Sequence, residues 1–227
     1  MNGTISLVAK LKEEAKAARD FDDFPAAIAA LSRAIEILTR ELGGVVTLPE
    51  SEREARRLEI ERELADFYGM KGGLHRREAM GSSGSERDVH LEKAQQMYEH
   101  GVHFERGDSY NLTNTIVIPL IRNPERLAEL QPKAAKARNI VERQIQGGRA
   151  TQWWAWADLA LLNLLAGDLS RALDAYAQFG RAGAQVRDCQ STINVLQDLQ
   201  AVWPTGEMRQ RLADAIKFLD RQQASVS

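Results

Sequence analysis

One spacing constrains this chain more than any other: small residues flanking a larger apolar or aromatic residue at intervals of four and then three. Ala27, Leu31 and Ala34 carry it in DDFPAAIAALSRAIEI, and Ala94, Tyr98 and Gly101 carry it in EKAQQMYEHG. Ala172, Tyr176 and Phe179 give a third copy in GDLSRALDAYAQF, with an aromatic in the last place. Positions i, i+4 and i+7 share one face of an α-helix. Small side chains there let a second helix approach closely. Each copy adjoins another helical pattern, so the chain reads as a series of helix-turn-helix units in an all-α fold.

Taken in order, residues 4–20 set Leu7, Leu11, Ala15 and Ala18 at helical spacing. Asp22 and Asp23 are placed to cap the next helix, with Pro25 in its first turn. That helix should run to about Arg40 and stop at Gly43-Gly44. A highly charged helix over 50–73 follows, with Leu58, Leu64, Ala65 and Tyr68 as its buried positions. Gly69, Gly72 and Gly73 each weaken an isolated helix by about 1 kcal/mol relative to alanine. They make sense where another backbone packs tightly against them. Glu78 to Asp88, centred on GSSGS, has the composition of a mobile loop inserted between two helices.

Helix resumes over 89–105, and a further unit opens at Asp108 in DSYNLTN with a helix ending near Ile121. Asn123-Pro124 starts a longer helix that Pro132 kinks or divides before Gly147-Gly148 ends it. TQWWAWADLALLNLLAGDLSRALDAYAQF holds two helices about a Gly167-Asp168 turn. Residues 184–202 and 206–222 read as closing helices separated by Trp203-Pro204, the last with the polar outer face of an end cap.

This small, aromatic, small figure in the second of two paired helices resembles the tetratricopeptide repeat (TPR). The copies are unevenly placed. Ala27 and Ala94 stand 67 residues apart, and Ala94 and a weak copy at Ala134 stand 40 apart, against about 34 in a regular unit. The units are therefore enlarged. ELADFYGMKGGLHRRE, DSYNLTN and WWAWADLALLNLLAGD resemble the central TPR region of apoptosis signal-regulating kinases, the TRAFs-binding region, and its bacterial sensor-type relatives in defence systems, over residues 55–195. At 227 residues the chain is long enough for one domain over 1–227, the preferred reading, or for two small ones. The resemblance implies a right-handed superhelical stack of about four irregular hairpins with capping helices over 184–222. Such relatives sit beside an effector or kinase domain, which implies a regulatory role.

Composition narrows the function. A formal charge of -2 and a pI near 6.1 give no global attraction for nucleic acid or an anionic membrane. The single cysteine, Cys189, excludes an intrachain disulfide and suits a reducing interior. MNGTISLVAKLKEEAK has no apolar run fit for a signal peptide, and the sequence has no stretch of about 18 apolar residues. A soluble, cytoplasmic protein is expected.

Several candidates for recognition remain. Lys12, Lys16 and Arg19 form a positive stripe, which the TPR resemblance turns toward the concave groove where such solenoids bind peptides. A solvated helix face is the other reading. His75-Arg76-Arg77 is a second basic cluster, suited to a phosphate or an acidic tail, or simply surface. Tyr110 and Asn114 share a face; the resemblance puts such a pair on the inner surface, and a hydrogen-bonded structural pair fits equally. Trp153 and Trp156 share one face while Trp154 projects to the other, near Asp158 and Leu161. Trp154 is either an anchor for a ligand or partner or packed with the other two between helices.

Catalytic readings fail. His100 and His103 share a face without a third ligand, so no metal site is expected. GMKGGLH lacks the spacing and the Lys-Ser/Thr end of a phosphate-binding loop. There is no nucleophile elbow and no carboxylate pair held for acid-base work. No basic, aromatic-interleaved tract suits single-stranded nucleic acid. The expectation is a non-catalytic module without cofactor, binding a protein or peptide partner in its groove. The alternative is a sensor for a small anionic, nucleotide-derived ligand, which would stiffen the fold on binding.

Overall fold

A computed structural model of the chain describes residues 2–105 and 109–226. Asp108, expected to open a unit, lies outside the described residues. Those described form ten α-helices and three single-turn 3-10 segments, with no strand among them. The chain separates into two compact units, Met1–Asn111 and Leu112–Ser227.

In the first unit, α1 (Asn2–Asp20), α2 (Phe24–Gly44), α3 (Glu50–Gly81) and α4 (Gly84–Phe104) each pack on the next. The turn after α1 places Asp22 at a φ of 58°, and the Asp23 carboxylate then caps α2 by accepting the Ala26 N–H at 3.1 Å. Pro25 occupies the first turn, where a missing N–H costs nothing. Ala27, Leu31 and Ala34 are fully buried against Leu11 and Ala15 of α1 and Ile60, Leu64 and Phe67 of α3. Val8 completes the α1 stripe, and Leu7, expected inside, is exposed. Leu58 is likewise exposed, whereas Leu64 and Ala65 are buried as expected.

Two expectations change in α3. Its glycines do not end it: the helix continues unbroken for 32 residues to Gly81. What packs on them is side chain, not backbone. A methyl group added at Gly72 would sit 2.9 Å from the Tyr98 ring, and one at Gly69 would sit 2.8 Å from the Asn111 amide oxygen. The loop expected over 78–88 shrinks to Ser82 and Ser83. Ala79 on α3 and Leu91 on α4 are both completely buried, so tertiary contact holds the helix ends that composition alone would leave loose. Gly84, at a φ of 56°, makes the tight re-entry into α4.

The second unit takes in most of α5 (Ser109–Arg122), then α6 (Leu127–Gln146), α7 (Trp153–Leu165), α8 (Leu169–Arg181), α9 (Val186–Val202) and α10 (Glu207–Val226). Residues 113–121 of α5 are buried all round. Asn123 accepts from the Glu125 N–H at 3.0 Å and opens a 3-10 turn that leads into α6. Pro132 neither divides nor ends α6: it stands near the helix start, where its missing N–H deprives only the exposed first turn of a bond. Gly167, at a φ of 87°, turns the chain between α7 and α8, and Asp168 caps α8 by accepting the Arg171 N–H. Ala172, Tyr176 and Phe179 are fully buried, as are Leu212, Ala215 and Leu219 on α10, which packs on α7, α8 and α9. No described helix is long and apolar enough to cross a membrane.

Two glycine variants separate packing from helix propensity. Gly72→Ala should lower stability by about 1 kcal/mol or more, because overpacking at about 1–3 kcal/mol outweighs the propensity gain. Gly43→Ala, with nothing within 4 Å, should raise it by up to about 1 kcal/mol. Urea denaturation midpoints at constant m-value read both.

Candidate functional site

The last third of α3 brings together the polar groups of the first unit. Tyr98 on α4 is wholly buried, and its ring occupies the space that Gly72 leaves open. Its hydroxyl lies 3.4 Å from that of Tyr110, which is partly exposed at the start of α5, and the two rings meet edge to face at 5.8 Å. Gly73 faces both hydroxyls: a methyl group there would stand 3.2 Å from Tyr110 Oη and 3.7 Å from Tyr98 Oη. Next along the chain, Asn111 is fully buried and donates through Nδ2 to the Ala65 carbonyl at 2.9 Å. It fits because Gly69 and Gly101 present no side chain on either side.

Two guanidinium groups of α3, Arg76 and Arg77, act electrostatically on these hydroxyls, and Arg19 of α1 acts on Arg77. Arg76 is buried, whereas Arg77 reaches solvent. Partial burial, and then the like charges of Arg19 and Arg76, lower the Arg77 pKa, with the Tyr110 and Tyr98 hydroxyls acting the other way. Burial pushes the Tyr98 pKa far up, and Tyr110 adds to that while Arg76 and Arg77 oppose it. Arg19 on α1 and the Arg76-Arg77 pair on α3, which sequence offered as separate basic clusters, thus act on one locality. It can serve as a local anion-binding surface in a chain whose overall charge is slightly negative.

Beside it, α3 and α4 assemble a different group. Glu78 Oε2 lies 2.9 Å from His75 Nδ1 and 3.0 Å from His90 Nδ1. The two imidazoles are 6.1 Å apart, centre to centre. His75 is buried, while Glu78 and His90 are partly so. Burial lowers the His75 pKa; Glu78 opposes this, and Lys71 and Lys93 reinforce it. Sequence reasoning placed His75 among basic residues and overlooked Glu78 and His90. The signal legible in sequence is His75 and Glu78 three apart; that His90 joins them follows only from the short turn the structure shows.

The remaining candidates are dispersed. Lys12 pairs with Asp66 at 2.5 Å and lies 5.7 Å from the centre of the Phe67 ring; Lys16 pairs with Glu13 at 2.7 Å and Arg19 with Asp20 at 2.7 Å. Each cation of the expected stripe already has an acid beside it. Tyr110 is exposed and Asn114 buried, so the two do not present one open surface. In the second unit Trp154 is 39% exposed and meets Trp153 edge to face at 5.6 Å, and Trp153 in turn meets Phe179. Asp158, expected to accompany Trp154, is buried, and its charge contributes to the raised pKa of the buried Tyr176 hydroxyl. His100 stacks on Tyr68 at 5.0 Å and His103 meets Phe104 edge to face, which gives both a packing role.

The chain matches no protein-family model and no curated protein.

Asn111 supplies a direct test of this packing. Asn111→Ala should cost about 1–3 kcal/mol through the lost hydrogen bond to Ala65 and the space left between two glycines. Asn111→Asp should cost more at neutral pH, because it sets a charged acceptor against a carbonyl. Chemical denaturation of the two variants side by side checks the order.

Proposed function

We propose that this chain is a non-catalytic interaction module of tetratricopeptide type, with its hairpins stacked as a right-handed superhelix and α9 and α10 as the cap. Support for the TPR reading comes from the recurrent packing figure, whose nine positions are buried in α2, α4 and α8. The recognition surface in this reading is centred on exposed Arg77 and Tyr110, with buried Arg76 and the Asp20-paired Arg19 adding positive charge to it. The observation that carries it is that Arg76 and Arg77, one helical segment, act on a pair of adjoining tyrosine hydroxyls while Arg19 of α1 acts on Arg77. Guanidinium groups bind carboxylate and phosphate through paired, directional hydrogen bonds, and like charges held together favour an anion between them. An acidic peptide segment of a partner protein is the ligand this chemistry suits. A regulatory role in a cytoplasmic setting belongs to the same reading.

The same arginines favour a second reading, a sensor for a small anionic, nucleotide-derived ligand. A thermal-shift comparison of an acidic peptide, a phosphopeptide and a set of nucleotides separates the two. A ligand at a hundred times its Kd adds about 2.7 kcal/mol of stability. The peptide should raise Tm, and Arg77→Glu, at an exposed position, should abolish the rise without lowering the Tm of the free protein. A shift with nucleotides alone would favour the sensor, and no shift with any of them would end both readings of this surface.

A further inference from the structure

We propose that His75, Glu78 and His90 form a binding site for a divalent first-row transition metal of the zinc type. One nitrogen from each imidazole and one carboxylate oxygen lie within 4.8 Å of one another. With metal-ligand bonds of about 2.0–2.2 Å, tetrahedral ligands stand roughly 3.3 Å apart. The two nitrogen-oxygen separations, 2.9 and 3.0 Å, reach that spacing with shifts of a few tenths of an ångström. Two nitrogen ligands and a single carboxylate select zinc or its neighbours over calcium and magnesium, which take oxygen.

A hydrogen-bond network alone accounts poorly for this group. His75 and His90 both bring Nδ1 close to one oxygen, Glu78 Oε2, but only His75 is hydrogen-bonded to it. His90 Nδ1 is buried and makes no hydrogen bond despite its distance of 3.0 Å, because the ring is turned off the donor direction. A buried imidazole nitrogen set beside a carboxylate without bonding to it can turn instead to an ion shared by all three groups. All three side chains project from helices, with only Ser82 and Ser83 between α3 and α4, so the site is held on rigid elements. Lys71 and Lys93 stand near His75 and oppose a second cation. The single charge of Glu78 and the directional imidazole bonds must outweigh them, which further disfavours ions held by charge alone. Three protein ligands leave one tetrahedral position for water or for a group on a partner.

The full-length chain, stripped with chelator and shown by circular dichroism to be folded, should take up one equivalent of Zn(II) in competition with a chromophoric chelator. Co(II) should give the visible bands of a tetrahedral site. His90→Ala, at a partly exposed position, and Glu78→Gln should each weaken Zn(II) binding by more than the roughly 10–100-fold that loss of an outer-sphere partner costs. His100→Ala should leave it unchanged. No stoichiometric uptake by the folded wild-type chain would overturn the proposal. So would uptake that survives intact in both His90→Ala and Glu78→Gln.

Discussion

The close fit of two tyrosines and an asparagine against a glycine-lined helix is the contact on which the first unit depends. Gly69, Gly72 and Gly73 strip one face of α3 down to its backbone, and Tyr98, Tyr110 and Asn111 occupy the space. The glycines surrender helix propensity, and the burial of a complete tyrosine ring offsets that loss. A tyrosine buries about 150–250 Å². The hydroxyl of Tyr98 must then find polar company inside, and Tyr110 supplies it. A packing solution therefore sets two hydroxyls together beside α3, and the arginines that follow Gly73 along that helix act on them.

That inheritance explains why charge collects in one place on a protein with little net charge. His75, Arg76 and Arg77 occupy three successive positions and so point in three directions around α3. Arg76 and Arg77 act on the tyrosine hydroxyls, and His75 joins Glu78 and His90. One short segment thus provides cations on one flank and a mixed nitrogen and carboxylate cluster on the other. Their chemistries are complementary, since the first suits an anion and the second a metal ion.

Much of the helical order was legible in the sequence, because it rests on local signals. Asp23 with Pro25, Asn123 with Pro124, and Gly167 with Asp168 are each read within a few residues and act within a few residues. The spacing at Ala27, Leu31 and Ala34 gave a buried face correctly because helical periodicity and burial are the same pattern. The errors arose where distant contacts decide. GSSGS has a loop composition, yet buried Ala79 and Leu91 on either side of it hold their helices almost to contact. Glu78 and His90 were invisible as partners because their meeting depends on that short turn, which sequence alone replaced with a long one. Lys12 looked like a free cation until α3 brought Asp66 to it.

Helix α3 belongs to two layers at once, since α2 and α4 both pack along it. At 32 residues it is about 48 Å long. Fraying at its centre would uncover both neighbours together, so the amides around Phe67 and Gly72 should exchange with solvent only when the first unit opens as a whole. The helix is in that sense a shared spine: it makes one cooperative folding unit out of what would otherwise be two separable hairpins.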